Sequence, residues 1–187
     1  VSKMLTNTLL SLMKDDNDII SVNPVDDNIY HWKIRMSNFN ESTKLHMDLM
    51  KLDSLFGYDY VELDVQFPLD LYPFYPPNVR VVKPRLKNFL FGRIVSMEEL
   101  QLSKWNPVRQ ITDIFTSIRK LLSKYGEINL ESNVNEFTDL EYQLLRLSML
   151  TEILPRVSYL YKSEDKLPEF GNLIKKKVDT SNKNNKT

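Results

Sequence analysis

Ser96 is the residue of the central segment whose type and setting suggest covalent chemistry. It lies in the nonapeptide Gly-Arg-Ile-Val-Ser-Met-Glu-Glu-Leu, residues 92–100. A serine hydroxyl attacks a carbonyl group efficiently only when a base activates it, and no histidine lies near Ser96 in the sequence. The position also lacks the Gly-x-Ser-x-Gly elbow of many hydrolases. A hydrolase triad is therefore a poor interpretation.

Other kinds of chemistry have less support. The chain has two histidines, His31 and His46, and no cysteine, which argues against a zinc site, and no metal is expected. His31 alternates with apolar residues in a predicted strand, so a solvated side chain is expected. The four glycines are far apart, so no phosphate-binding loop and no cofactor are predicted. The basic residues between positions 83 and 93 favour a solvated loop, with contact to an acidic partner as the alternative.

The segment 72–105 surrounds Ser96 and differs from the rest of the chain. It opens with Tyr-Pro-Phe-Tyr-Pro-Pro at 72–77, whose prolines fix φ and remove backbone donors, so the preceding strand must end there. A short apolar strand follows at 79–82. The remainder has neither helical nor strand periodicity, yet it carries Phe89, Phe91, Ile94, Val95, Leu100 and Trp105. This composition predicts a long loop packed against the domain, and such loops often carry function.

These features resemble the ubiquitin-conjugating enzymes over roughly residues 5–150, including a Trp-Asn-Pro at 105–107 before a helix. The pattern is most similar to the Q-type branch, which lacks the usual His-Pro-Asn tripeptide; here Lys-Pro-Arg stands at 83–85. That branch reads Gly-Gly-x-x-Cys-Met-Glu-Leu-Leu ahead of the tryptophan. Aligned without gaps on 92–100, this pattern places its nucleophilic cysteine at Ser96.

The register of this alignment decides which residue takes the nucleophile position. A conventional Gly-x-Ile-Cys register would select Val95 instead. We prefer Ser96 because Met97, Glu98 and Leu100 then match the branch pattern. The resemblance implies that ubiquitin is carried at position 96 and passed to a substrate lysine or a ligase.

A serine at this position implies impaired transfer. A thiol has a pKa near about 8.5 and is intrinsically nucleophilic, whereas a hydroxyl is far more basic and forms a less reactive oxygen ester. Two function classes therefore stay open: a transferase of the ubiquitin-conjugating type, and a non-catalytic adaptor that binds ubiquitin or a ligase. Ser96 fits both a natural loss of the cysteine and a deliberate Cys-to-Ser change.

Expected partners follow from the resemblance: ubiquitin, its activating enzyme and a ubiquitin ligase. Phe74 stands where conjugating enzymes present an exposed aromatic residue to a ligase, and Trp105 and Pro107 match the second ligase-facing loop. From the residues alone, exposure is expected for Phe74 and core packing for Trp105. The first helix is expected to cover the sheet and, by resemblance, to face the activating enzyme and ligases.

Periodicity predicts the elements that position this segment. A helix is expected over 4–14, followed by strands near 19–22, 30–36, 61–67 and 79–83 that form an antiparallel meander. Lys33 and Arg35 are expected to face Glu62 and Asp64 across two strands, with all four side chains outward. The predicted fold is thus α+β and UBC-like, with an N-terminal helix, a four-stranded antiparallel meander, a long packed active-site loop and C-terminal helices.

Two helices are predicted after the loop. Apolar spacing over 111–122 predicts the first, which Gly126 can end. Thr-Asp-Leu-Glu at 138–141 has the form of a capping box and predicts the start of the second. Its apolar stripe would comprise Leu140, Leu144, Leu147 and either Leu150 or Met149, with an end or kink at Pro155. The RWD domain is the competing fold, and it lacks the features carried here by Trp105 and Pro107.

Composition limits the remaining possibilities. The chain has 25 basic and 25 acidic residues, so its overall charge favours neither nucleic acid nor an anionic membrane. No apolar run is as long as a membrane span, and a cytoplasmic or nuclear protein is expected. We expect one UBC-like domain over 1–154 and a polar, lysine-rich, partly disordered tail over 155–187.

Overall fold

The computed structural model describes residues 1–14, 18–132 and 134–147, and Val1–Leu145 form one compact unit. The elements, in chain order, are α1 (Ser2–Lys14), β1 (Ile20–Val25), β2 (Asn28–Met36), α2 (Lys44–Phe56), β3 (Val61–Gln66), β4 (Asn78–Lys83), α3 (Leu90–Val95), a 3-10 turn (Glu98–Leu100) and α4 (Ile111–Tyr125). A further helix, α5, begins at residue 139 and is described to residue 147. None of the helices in these parts of the chain is long and apolar enough to cross a bilayer.

The four strands form one antiparallel sheet in the order β1-β2-β3-β4, which confirms the predicted meander. Strand β2 places alternate residues in the core: Trp32, Ile34 and Met36 are fully buried. Their neighbours on β3 are Val65, Leu63 and Val61, which face the same core. The two-residue period of the sequence is therefore the period of burial.

Helices α1 and α4 also follow the prediction. The stripe on α1 buries Leu5 and Leu9, and the helix packs against β1 and β2. Helix α4 buries one face through Ile111, Ile114, Phe115, Ile118 and Leu122. It ends at Tyr125, and the Gly126 N–H donates to the carbonyl oxygen of Leu122 at 2.7 Å.

Helix α2 was not predicted, although its sequence carries clear helix signals. The hydroxyl of Thr43 accepts the N–H of His46 at 3.2 Å, which caps the first turn. Gly57 ends the helix in the left-handed region at φ 75°. One face buries Leu45, Leu49 and Leu52, so α2 covers core that loops would leave open.

The predicted cross-strand ion pairs form, but the acidic partners are not exposed. Arg35 Nε lies 3.0 Å from the Glu62 carboxylate, in the predicted register. Glu62 and Asp64 are only 3% and 4% exposed, contrary to the expected outward position. The reason is that β3 is an interior strand, and longer basic side chains on β2 and β4 cover its short acidic ones; Arg80 Nε, for example, lies 3.2 Å from Asp64.

Helix α5 begins with the predicted capping box. The Thr138 N–H donates to the Glu141 carboxylate at 2.8 Å, and the Glu141 N–H donates to the Thr138 hydroxyl at 3.2 Å. The predicted apolar stripe is wrong where it can be seen, because Leu140, Leu144 and Leu147 are all exposed.

The face of α5 that turns inward is set by aromatic contacts instead. Tyr142 is buried, and its hydroxyl donates to the Asn78 side chain on β4. Just before the helix, the ring of Phe137 stacks on Phe91 at 4.2 Å. The remaining predictions here, Met149 or Leu150 and Pro155, lie outside the described residues, and the boundary at 154 stays a prediction.

Candidate functional site

Ser96 is the first residue after α3, on an exposed turn. Helix α3 is short because Leu90, Phe91 and Ile94 fix its inner face in the core within two turns. The backbone of Ser96 has φ −97° and ψ 15°. This sparsely populated region is one where many active-site residues lie.

Hydrogen bonds hold both backbone groups of Ser96. Its N–H donates to the carbonyl oxygen of Gly92 at 3.0 Å, and its own carbonyl oxygen accepts from Gln101 Nε2 at 3.1 Å. The Ser96 hydroxyl donates to the same Gly92 oxygen at 2.9 Å. The backbone is therefore fixed at both ends while the side chain reaches solvent.

The hydroxyl of Ser96 has no activating base. Within the described residues its recorded hydrogen bond goes to a backbone carbonyl, which can orient a hydroxyl but cannot accept its proton. The two histidines lie on other elements, His31 on β2 and His46 on α2. His31 was expected to be solvated; it is half-buried, and its Nε2 lies 2.6 Å from Asp64.

The alternative acceptor position, Val95, has a different environment. Its side chain is partly buried and packs against the hydrophobic core. An acceptor of a protein's C-terminus must be accessible, so exposure favours the register that selects Ser96 over the one that selects Val95.

The segment after Ser96 is held to the domain by two buried side chains, Met97 and Trp105. Between them runs the 3-10 turn, and the Trp105 backbone N–H donates to the carbonyl oxygen of Gln101 at 2.8 Å. Gln101 thus connects two points: its side chain binds Ser96, and its backbone binds Trp105. The predicted packed loop is therefore partly helical, since it contains both α3 and this turn.

The three predicted partner-binding residues have different exposures. Phe74 is 72% exposed, on the turn that follows the cis Tyr72-Pro73 peptide bond. Pro107 is also exposed, whereas Trp105 is buried, as expected from the residues alone. The Trp105 indole N–H donates to the carbonyl oxygen of Pro73 at 2.6 Å, so Trp105 supports the loop that presents Phe74. The ligase-binding roles of all three stay predictions.

The basic residues before α3 form internal ion pairs, and the predicted solvated loop is in this respect wrong. Arg85 Nη2 lies 2.7 Å from Glu141, and Lys87 Nζ lies 3.3 Å from Glu127. These pairs connect the segment before α3 to the chain after α4. Their carboxylate partners are distant in sequence, so no local pattern could have revealed them.

Arg93 lies on the exposed side of α3, one turn before Ser96. Its guanidinium group covers the ring of Tyr125 at 4.3 Å. Hydrogen bonding and charge from Lys124, and then from Arg93, lower the pKa of the Tyr125 hydroxyl. The surface beside Ser96 on the α4 side is therefore positively charged.

Sequence reasoning missed Gln101 and Phe89 as site residues. Phe89 precedes α3 with φ 55°, in the left-handed region, and its ring lies over Gly92. The signal for Gly92 was present, since a glycine inside a helix often marks a close approach. Nothing in the sequence marked Gln101, because its role depends on how the turn folds back.

Comparison with known proteins gives consistent relatives. The chain is 30% identical over 154 residues to a probable ubiquitin-conjugating enzyme E2 of Acanthamoeba polyphaga mimivirus, which covers 81% of this chain and 10% of that protein. It is 31% identical over 128 residues to human ubiquitin-conjugating enzyme E2 Q1, covering 67% of this chain and 29% of that enzyme. A human Q-like protein of the same enzyme class is 28% identical over 107 residues, covering 56% and 63% of the two chains.

Comparison of structures finds a ubiquitin-conjugating enzyme E2 from Plasmodium falciparum, with a TM-score of 0.48 and 20% identity over 65% of this chain and 96% of that one. No protein-family model matches the chain. The chain spans 10% of the viral relative's length and less than a third of the human enzyme's.

The N-terminal helix, the four-stranded meander, the partly helical segment around Ser96 and the later helices define an α+β domain of the UBC type. Its curated relatives are ubiquitin-conjugating enzymes, and they include the Q-type branch. The chain is therefore a ubiquitin-conjugating-type protein by homology, and it contains no cysteine.

Proposed function

We propose that residue 96 is the position at which this protein accepts ubiquitin, and from which ubiquitin would pass to a substrate lysine or a ligase. The observation that carries the proposal is the setting of Ser96: an exposed side chain on a backbone fixed at both its N–H and its carbonyl group. A fixed backbone with an accessible side chain suits a residue that must meet a large partner in one geometry. Ubiquitin, its activating enzyme and a ligase are the partners this function requires.

As written, the protein should transfer ubiquitin poorly. Formation of the conjugate requires the side chain to attack an activated carbonyl carbon and expel a thiolate. A serine must lose its proton to do so, and the hydrogen-bond acceptor here is the neutral carbonyl of Gly92. An oxygen ester formed at Ser96 would also donate ubiquitin slowly, because an alkoxide is a poor leaving group.

The decisive experiment restores the thiol. We expect the full chain carrying Ser96→Cys to form a reductant-sensitive conjugate when it is incubated with activating enzyme, ATP and ubiquitin. Because the chain has no other cysteine, any such conjugate reports position 96 alone. The matched control is Val95→Cys, which places the thiol in the partly buried alternative position.

The result has a clear reading in each direction. Conjugation of Ser96→Cys with little conjugation of Val95→Cys supports both the function and the register. Conjugation only of Val95→Cys would move the acceptor position by one residue. Failure of both variants, with a known conjugating enzyme active in the same mixture, would refute the proposed transfer function.

A second candidate is a non-catalytic adaptor that binds ubiquitin or a ligase through the same surfaces. The observation in its favour is that Ser96 has a hydrogen-bonded hydroxyl and no neighbouring base among the described residues. For an adaptor, the unaltered Ser96 chain should bind ubiquitin or a ligase in a titration, and Ser96→Ala should leave that affinity unchanged. If Ser96→Cys fails to conjugate while such binding is measured, the adaptor is the better description.

A further inference from the structure

Phe89 has a conformation that core packing does not explain. It adopts φ 55° and ψ 25°, directly after Asn88, which also has a positive φ of 56°. Left-handed backbone is uncommon for a bulky residue, and such strain often occurs at functional sites. The side chain is 63% exposed and is not part of the hydrophobic core of the described residues. The strain therefore holds an aromatic ring at the surface.

The ring of Phe89 lies on the bare backbone of Gly92. A Cβ atom added to Gly92 would lie only 2.3 Å from Phe89 Cε1 and 2.4 Å from Cζ. Contacts of that length are not tolerated, so the ring takes the space that any other residue at 92 would fill. Glycine at this position and the left-handed backbone at Phe89 are two parts of one arrangement.

This arrangement lies one helical turn from Ser96. Residues four apart on a helix are neighbours on one face, with their Cβ positions about 5–6 Å apart. The Ser96 hydroxyl is turned toward the same place, since it donates to the Gly92 carbonyl oxygen at 2.9 Å. An acyl group attached at position 96 would therefore lie beside the Phe89 ring.

We propose that Phe89 is a positioning residue that covers the acyl group carried at position 96 and limits the access of water to it. The inference rests on the proposed acceptor role of this position. An apolar ring on one side of the acyl carbonyl removes one direction of approach, and it leaves the opposite side open to an incoming amine or thiol. Exclusion of water is a general means of protecting a reactive intermediate.

The structure provides two independent ways to remove this cover. Phe89→Ala deletes the ring. Gly92→Ala leaves the ring in the chain but displaces it, because the new methyl group takes its place, and alanine is favourable within a helix. If the ring acts as a cover, the two variants share one effect, and the double variant should be no worse than either single one.

The test uses the full chain with Ser96→Cys as its only thiol. The thiol is loaded by exchange with a small glycyl-glycine thioester: its thiolate attacks the acyl carbon, a new acyl-sulfur bond forms, and the probe's thiol leaves. Hydrolysis is then followed by mass spectrometry as water replaces the thiol, releasing glycyl-glycine. Phe89→Leu is the conservative control, since it keeps an apolar side chain of similar reach.

We expect hydrolysis to be roughly threefold to tenfold faster for Phe89→Ala, for Gly92→Ala and for the double variant, a range that corresponds to about 0.7–1.4 kcal/mol of barrier. Phe89→Leu should stay within about twofold of the parent chain. Unchanged hydrolysis in Phe89→Ala, or effects of the two single variants that multiply in the double one, would overturn the proposal.

The same variants are then tested with activating enzyme, ATP and ubiquitin, which separates this inference from the proposed function. A cover that protects the small acyl group while no variant accepts ubiquitin refutes the function and keeps the cover. Acceptance of ubiquitin with hydrolysis independent of Phe89 refutes the cover and keeps the function. Circular dichroism of each variant confirms that the fold is retained in both arms.

Discussion

The indole N–H of Trp105 donates a hydrogen bond of 2.6 Å to the carbonyl oxygen of Pro73. Trp105 is buried, whereas Phe74, the residue after Pro73, is among the most exposed aromatic side chains of the described chain. One hydrogen bond therefore joins the segment that follows Ser96 to the turn that presents Phe74. The two loops that the family resemblance relates to ligase binding are thus held as one surface.

This hydrogen bond predicts a stability effect. Trp105→Phe removes the donor and leaves the Pro73 carbonyl oxygen without this partner, so we expect a loss of about 1–3 kcal/mol in the free energy of unfolding. Urea denaturation measures it. Pro107→Ala, an exposed change in the same loop, is the control and should cost less than about 1 kcal/mol. Equal losses for the two variants would show that the hydrogen bond contributes nothing specific.

Phe74 provides the complementary prediction about binding. Because its side chain is 72% exposed, Phe74→Ala should leave the melting temperature nearly unchanged. If the turn binds a ligase, the same change should weaken that binding by about 2 kcal/mol or more, since exposed aromatic residues are frequent hot spots. Thermal unfolding and a binding titration on one preparation test both statements. A ligase that binds Phe74→Ala and the parent chain equally well would exclude this residue from the interface.

Gln101 should affect transfer at position 96 without affecting the core. Its exposed side chain donates to the Ser96 carbonyl oxygen at 3.1 Å. In the Ser96→Cys chain, Gln101→Met keeps the length of the side chain but cannot donate, and Gln101→Lys keeps a donor. We expect Gln101→Met to slow ubiquitin uptake by roughly threefold to tenfold, as loss of about 1 kcal/mol implies, and Gln101→Lys to restore part of the rate. Initial rates of conjugate formation measure the effect, and equal rates for both variants would contradict it.

Much of the fold was accessible from the sequence because burial follows local periodicity. Strand β2 alternates without exception from Tyr30 to Met36, and α4 keeps one apolar stripe throughout, so both elements were predicted with the correct face. The capping box at Thr138 also formed as predicted, because both of its partners are within one turn. Local rules succeed where the interaction itself is local.

The errors arose where tertiary contacts decide the outcome. Leu140 and Leu144 have helical spacing, but Tyr142 packs against β4 and turns that stripe to solvent. Asp64 alternates like an exposed residue and is buried beneath basic side chains from both neighbouring strands. The setting of Ser96 was likewise hidden, since the hydrogen bond from Gln101 exists only after the turn forms.

The buried carboxylate of Asp48 predicts a large stability effect. It is 1% exposed and accepts the backbone N–H of Ile128 at 3.1 Å, which fastens α2 to the chain after α4. Asp48→Ala leaves that buried N–H unpaired and should cost about 3 kcal/mol or more. Asp48→Asn can still accept this hydrogen bond and should cost clearly less. Chemical denaturation compares the two, and similar losses would show that the volume of the side chain, not the acceptor, is what matters.

Glu141 predicts how stability depends on pH. The hydrogen bond from the backbone N–H of Thr138, with further bonds from Arg85 and the Thr138 hydroxyl, lowers the pKa of its carboxyl group below the ordinary value of 4.5. A carboxyl group whose pKa is lower in the folded state stabilises the fold above its unfolded pKa, and this contribution is lost as the pH falls through the folded pKa. Glu141→Gln should therefore be less stable than the parent chain at about pH 7, and the difference should shrink below about pH 4.5. Urea midpoints across this range measure it, with Glu41→Gln, at an exposed position, as the matched control. A difference between the Glu141→Gln and parent midpoints that is the same at both ends of the range would mean that ionisation of Glu141 does not stabilise the capping box.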